Sequence, residues 1–160
     1  MKEKLPIFLM LIGIPGSGKS FWVKNNVKNR DFVVVSSDAT RKQLTGNVSD
    51  LSRDEEMWEL VKERVVENLS QGKNVLLDAT NVNGFYRRQF IDGLPPCKLQ
   101  AKRFSIDLEE AKQRVKKDIE QKRDRSHVPM PVIERMFEQY RNFCRPKDLE
   151  KEGFEVIEKI

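Results

Sequence analysis

Phe8-Leu9-Met10-Leu11-Ile12-Gly13-Ile14-Pro15-Gly16-Ser17-Gly18-Lys19-Ser20 is the stretch that decides the fold. Its first five residues form a continuous apolar run, as expected of a strand buried on both faces. Glycines at 13, 16 and 18 then interrupt regular structure, and Phe21, Trp22, Val23 and Val27 follow at helical spacing. Strand, glycine-rich turn and helix in that order, with the turn reading G-x-x-x-x-G-K-S, make a phosphate-binding loop. Gly13, Gly16 and Gly18, with Pro15 and Ser17 between them, let backbone N–H groups point inward at phosphate oxygens. The following helix adds its positive N-terminal end. Lys19 supplies a mobile cation to the β- and γ-phosphates of ATP or another nucleoside triphosphate, and Ser20 offers a hydroxyl to Mg²⁺.

Working outward, the same alternation of buried strand and helix repeats. Phe32-Val33-Val34-Val35 reads as a second buried strand and leads to a helix at residues 39–44. Met57, Leu60, Val61, Val65 and Leu69 line one face of a long helix that ends at Gly72. Asn74-Val75-Leu76-Leu77-Asp78 is a third strand, residues 85–94 a short helix stopped by Pro95-Pro96, and residues 99–105 a weaker strand. Leu108, Ala111, Val115 and Ile119 mark a helix capped by Asp107. Ile133, Met136, Phe137, Tyr140 and Phe143 mark another, entered through Pro129 and Pro131, and residues 154–157 form a last short strand. A βαβα pattern of this kind predicts an α/β fold: a parallel sheet flanked by helices on both faces. The polar stretch 45–53 is expected to be a mobile loop.

The chain's 160 residues are expected to form one phosphotransferase domain over residues 1–160. No apolar run approaches the ~20 residues of a membrane-spanning helix, and no secretion signal precedes the first strand. A cytoplasmic location is therefore expected, with Cys97 and Cys144 as reduced thiols. The net charge of +5 suits either plain solubility or an anionic partner such as nucleotide or nucleic acid.

Two acids stand at strand ends, where an open parallel sheet places its ligand crevice. Asp78 reads as the acid near Mg²⁺, directly or through water, or as a cap on the turn that follows it. Asp38 reads as a general base for an acceptor hydroxyl, or as the N-cap of the helix it precedes. Arg123 and Arg125 sit where the helical pattern fails, before Val128-Pro129. A segment carrying them could close over the triphosphate and neutralise charge in the transition state. His127 has no evident partner and reads as loop surface.

The phosphate loop, Ser37-Asp38-Ala39-Thr40-Arg41, Asp78-Ala79-Thr80-Asn81 with Arg87, and Arg123 before Val128-Pro129 occur in this order. Together they resemble the kinase domain of the polynucleotide 5′-kinases of phage and bacterial end-healing enzymes, from residue 7 to residue 143. The resemblance implies a P-loop kinase fold with a basic lid, ATP and Mg²⁺ as cofactors, and DNA or RNA 5′-hydroxyl ends as substrate. It further implies that Lys19 and Ser20 hold ATP and Mg²⁺, and that Asp38 deprotonates the 5′-hydroxyl. Arg41 would bind the phosphate on the acceptor's 3′ side, with Thr80, Asn81 and Arg87 lining the acceptor. Arg123 would be the lid arginine. The family often carries a second lid arginine one turn earlier, where this chain reads Lys117-Asp118-Ile119-Glu120. Lys117, Arg114 and Arg125 are the available substitutes.

Two other readings compete: a small-molecule kinase acting on a nucleoside, sugar or antibiotic hydroxyl, and a nucleotide-dependent switch. Arg41 favours a charged acceptor over a neutral one, and Asp38 favours transfer over switching. Most aromatics fall on expected core faces, so no stacking platform for a single strand is evident, and contact would rest on phosphates.

Overall fold

In the computed structural model of the protein, residues 4–27, 31–121 and 127–158 are described. Along them the chain forms β1 (Ile7–Ile12), α1 (Lys19–Asn26), β2 (Val33–Ser36), α2 (Ser37–Thr45), α3 (Asp54–Ser70) and β3 (Val75–Asp78). There follow α4 (Gly84–Ile91), β4 (Lys98–Arg103), α5 (Leu108–Glu120), α6 (Met130–Phe143), α7 (Pro146–Lys151) and β5 (Glu155–Val156). The strands make one parallel sheet in the order β2-β3-β1-β4-β5.

The apolar run of β1 behaves as its sequence demands. Phe8 to Ile12 are all fully buried, and alternate residues face opposite sides of the sheet. Phe8, Met10 and Ile12 join Met57, Val61 and Val65 of α3. Leu9 and Leu11 join Leu76, with Trp22 and Val23 of α1 packed against them. Each such side chain contributes about 1.5–3 kcal/mol through burial. Because β1 lies between β3 and β4, both its edges are paired as well, and the chain leaves it only at the carboxyl edge. Ser36 of β2 pairs with Asp78 of β3, and Ile12 of β1 with Arg103 of β4, so the strands end close to one level.

The structure departs from the sequence reading at three points. The stretch 45–53 is tied down rather than loose: Val48 is buried, its carbonyl accepts from Arg41 Nη1 at 3.3 Å, and Ser52 bonds Asp50 through both its N–H and its hydroxyl. Helix α7 was not anticipated, although Pro146 stands at its start and Asp148 accepts from the Arg145 N–H at 3.0 Å, a recognisable helix-start pattern. Most aromatics do go inside, but Phe143, expected on the apolar face of its helix, is exposed, as are Phe21, Trp58, Phe85 and Tyr86.

One buried side chain ties α4 to the C-terminal elements. Arg87 of α4 is only 2% exposed, and each of its five N–H groups has a partner. Nε and Nη2 fork onto the Glu152 carboxylate at 3.0 and 2.7 Å. Nη1 donates to the Asn81 carbonyl and the Cys144 sulfur, and Nη2 also to the Phe143 carbonyl. Burial pushes the Cys144 thiol above its ordinary pKa, with Arg87 opposing. It stays protonated and donates to the Val82 carbonyl at 3.3 Å. Removing one partner of a buried ion pair strands the other. Glu152→Ala is therefore expected to lower stability by about 3–5 kcal/mol, read as the shift of the urea-unfolding midpoint at unchanged slope.

Candidate active site

Three chain segments meet at the carboxyl edge of β1, β2 and β3. The loop between β1 and α1 is pinned from three sides. The Gly13 N–H donates to the Thr80 carbonyl at 3.0 Å. Gly16, at φ +84°, lies against the backbone of α5, where a Cβ would come within 2.8 Å of the Ala111 carbonyl oxygen. Arg114 of α5 reaches the Gly16 carbonyl at 3.2 Å while paired with Glu110 at 2.7 Å. Gly18, at φ +97°, precedes the first residue of α1, in a left-handed conformation that glycine takes at no steric cost.

Lys19 is largely buried and curls back over its own loop. Its Nζ donates to the carbonyls of Gly13 (2.7 Å) and Ile14 (3.0 Å) and to Ser17 Oγ (3.3 Å). The cation is thus held beside the loop's backbone. Ser20 Oγ donates to Asp78 Oδ2 at 3.2 Å, which brings together the hydroxyl and the carboxylate expected around Mg²⁺. They form a hard oxygen pair, and Mg²⁺ bound to a nucleotide takes few protein ligands, its other positions going to phosphate oxygens and water. No cluster of three or more metal-binding side chains exists among the described residues.

Asp38 stands in the first turn of α2, where a negative charge favours the helix dipole. It is not the cap. Ser36 holds that position, its Oγ accepting from the Ala39 N–H at 3.2 Å, so the capping reading of Asp38 falls. Its side chain is half exposed and accepts from Arg41 Nη1 at 2.7 Å. Arg41 differs from expectation. It is buried, and its guanidinium forks onto Asp54 of α3 through Nε (2.7 Å) and Nη2 (3.0 Å), besides bonding Asp38 and the Val48 carbonyl. Burial opposes its charge, but Asp54, by hydrogen bond and by charge, and then Asp38 outweigh burial and raise its pKa. Among the described residues, one Nη2 N–H has no hydrogen-bond partner. Arg41 thus joins Asp38 to Asp54, and Asp54, 13 residues away in sequence, is a partner that sequence spacing did not point to.

The segment after Asp78 is equally committed. Asn81 takes the left-handed conformation at φ +53°, which asparagine tolerates better than most residues. Its Nδ2 donates to the carbonyls of Leu11 (2.7 Å) and Ala79 (3.3 Å). Thr80 offers its carbonyl to Gly13. Arg87, expected against the acceptor, is instead the buried hub described above, with no donor left for a substrate. The exposed arginine of this segment is its neighbour Arg88. His127 is exposed, as expected of loop surface, and its N–H donates to Ser49 Oγ at 2.9 Å. Arg123 and Arg125 lie outside the described residues.

A glycine loop so pinned, on a sheet of this order, defines a P-loop kinase. The chain matches the family model described as an AAA domain over residues 8–143 and belongs to that family. A chain in a structure of the Pnkp1/Rnl/Hen1 RNA repair complex is 24% identical, with a TM-score of 0.73, the match covering 94% of this chain and 47% of that one. A second Pnkp1/Rnl/Hen1 structure gives 28% identity and a TM-score of 0.61, over 71% of this chain and 40% of that one. Shikimate kinase from Acinetobacter baumannii, in complex with shikimate, is 17% identical with a TM-score of 0.56, over 99% of this chain and 86% of that one. The chain thus spans less than half the length of the two repair-complex chains it resembles. A search of curated proteins finds no match. No described helix is long and apolar enough to cross a membrane.

The Arg41 clamp carries a stability consequence. Asp54→Ala removes two charge-assisted hydrogen bonds from a buried guanidinium, and the expected loss is about 1.5–3 kcal/mol. Paired urea melts of the variant and wild type measure it.

Proposed function

We propose that this chain transfers the γ-phosphoryl group of ATP, or of another nucleoside triphosphate, to the 5′-hydroxyl of a DNA or RNA end. The observation that carries the reading is Asp38: half exposed, relieved of capping by Ser36, and held at 2.7 Å by an arginine that Asp54 clamps. A carboxylate so held at the edge that bears the phosphate loop supports a role in taking the proton of an acceptor hydroxyl. As that O–H bond breaks, the acceptor oxygen bonds to the γ-phosphorus. The bond from that phosphorus to the β,γ-bridging oxygen breaks, and ADP leaves. Lys19 neutralises charge on the transferring group. Ser20 and Asp78 would hold the Mg²⁺, which supplies further charge neutralisation when bound.

Arg114, already at the Gly16 carbonyl, takes the place of the second lid arginine, with Arg123 and Arg125 as the remaining lid cations. Arg41 offers its one uncommitted N–H to the acceptor's 3′ phosphate, while Thr80 and Asn81 shape the acceptor wall through their backbone and fixed conformation. Residues 1–160 act as one phosphotransferase domain in the cytoplasm, where the unbridged Cys97 and Cys144 stay reduced. A small-molecule kinase is the second reading. It is favoured by the commitment of Arg41 to two carboxylates, since a neutral acceptor asks nothing of that cation.

An acceptor panel with radiolabelled ATP and Mg²⁺ decides between them: 5′-hydroxyl oligonucleotides, 3′-nucleoside monophosphates, free nucleosides and sugars. The expected order places the two phosphate-bearing acceptors first, and better turnover of free nucleosides or sugars would replace the polynucleotide reading by the second. Asp38→Asn should lower kcat by about 10²–10⁴-fold with ATP binding retained. Lys19→Ala should cost about 10²-fold or more. Arg41→Ala separates two roles. A positioning role lowers kcat on every acceptor alike, whereas a phosphate-binding role erases only the preference for phosphate-bearing acceptors.

A further inference from the structure

The arginines that sequence reading gave to the acceptor, Arg41 and Arg87, are both spent on carboxylates of the protein. The neighbour of Arg87, Arg88, is exposed and not spent in this way. Among the described residues no carboxylate pairs with it, and its side chain lies back over the start of α4. A Cβ added at Gly84 would stand 3.1 Å from Arg88 Nη1. Beside it, Phe85 and Tyr86 are 61% and 65% exposed and meet edge to face with ring centroids 5.6 Å apart. Two large rings left in water on adjacent residues forgo burial that each would otherwise gain.

Phe85 and Arg88 together form a ridge between two hollows of about 490 and 450 Å³. The far wall of the first carries Phe143, 58% exposed, and Lys151. Its acids are already neutralised, Asp148 by Arg145 at 2.8 Å and Glu152 by Arg87 at 2.7 Å. Asp92 lies in the second hollow, on the other side of the ridge. The first hollow therefore offers aromatic faces and uncompensated positive charge. It begins at Asn83, five residues beyond Asp78, hence within about 18 Å of the edge that bears the phosphate loop. Flat rings beside a cation, adjoining the reaction edge, match a chain that repeats a base and a phosphate, because every base presents a π-face.

We propose that Phe85 and Arg88, with Phe143 across the hollow and Tyr86 buttressing Phe85 from outside it, form a platform that holds single-stranded nucleic acid beyond its 5′-terminal nucleotide. Bases stack on the rings and Arg88 takes a backbone phosphate. The proposal deepens the polynucleotide reading and rests on it for its biological sense.

Its test measures binding without ATP, so that the two can fail separately. The full chain is titrated into a fluorescently labelled 5′-hydroxyl ten-nucleotide oligothymidylate and followed by anisotropy over a range of salt concentrations. Phe85→Ala is expected to weaken binding about 5-fold or more, the equivalent of one stacked base. Arg88→Ala should flatten the slope of log K against log salt by about 0.7, the value of one single-strand phosphate contact. Lys73→Glu, an exposed charge reversal just before β3 at the opposite edge of the sheet, should leave both near wild type. All three positions are exposed, so melting by circular dichroism should be unchanged. In the kinase assay, Phe85→Ala should lower kcat/KM on the ten-nucleotide acceptor while leaving that on a 3′-nucleoside monophosphate unchanged, since so short an acceptor does not reach the platform.

Wild-type affinity in Phe85→Ala with an unaltered salt slope in Arg88→Ala overturns the platform, as does the absence of oligonucleotide binding by the wild type. So does a dimer that Phe85→Ala converts to monomer in sedimentation while oligonucleotide affinity holds, which would make this face a contact between copies. If the oligonucleotide binds through these residues but is not phosphorylated, the platform stands and the kinase assignment falls.

Discussion

Burial of β1 on both faces and both edges is the constraint from which the rest follows. A strand with no exposed residue from Phe8 to Ile12 cannot tilt or slip without breaking two ladders and two cores at once. The loop that leaves it is therefore fixed at its root. Gly13 could not be larger, since a Cβ there would stand 2.6 Å from Ser17 Oγ and 2.9 Å from Phe104 Cβ. Gly16 is pressed against α5 in the same way. The loop's geometry is thus set by neighbours from β3, β4 and α5, and phosphate groups would meet a preformed site rather than one they must organise.

Around that loop, the arginines sort by what they can afford to leave unpaired. A guanidinium carries five donors in a fixed fork, and burying one demands partners for nearly all of them. Arg87 meets the demand with one carboxylate, two carbonyls and a thiol. Arg41 meets it with two carboxylates and a carbonyl, and in doing so orients Asp38. Burial thus turns both residues into fasteners. Their exposed counterparts, Arg88 and Arg114, keep donors that the fold does not consume.

Much of this was legible in the sequence, for physical reasons that particular residues make plain. Runs such as 8–12 and 75–77 announce strands buried on both faces, and the glycine loop between strand and helix announces its ligand chemistry. The facing of Ser20 and Asp78 follows once both are placed at the carboxyl edge. What stayed hidden depends on partners distant in sequence. Asp54 meets Arg41 only because α3 packs beside α2. Arg87 and Arg88 are adjacent and chemically identical, so only the rotation of α4 against the sheet decides which becomes the hub. Phe143 completes the apolar pattern of α6 yet is exposed, while the next residue, Cys144, is fully buried. Ser36 took the capping role that had been weighed for Asp38 because the helix begins two residues before its apolar pattern does.

The resting position of Lys19 adds a last consequence of the same principle. Its ammonium spans the carbonyls of Gly13 and Ile14 and the hydroxyl of Ser17. It thereby replaces most of the solvation lost on burial, with dipoles that belong to the loop itself. A triphosphate entering the loop offers that cation anionic oxygens in place of carbonyls, a stronger set of partners in the same small space. The loop does not have to unfold to make the exchange, because its backbone is held by Thr80 and α5 as well as by the lysine. Only the side chain must turn. The pinning that excludes a Cβ at Gly13 and Gly16 is therefore also what would let Lys19 turn from backbone to a bound phosphate while the N–H groups around it stay in place.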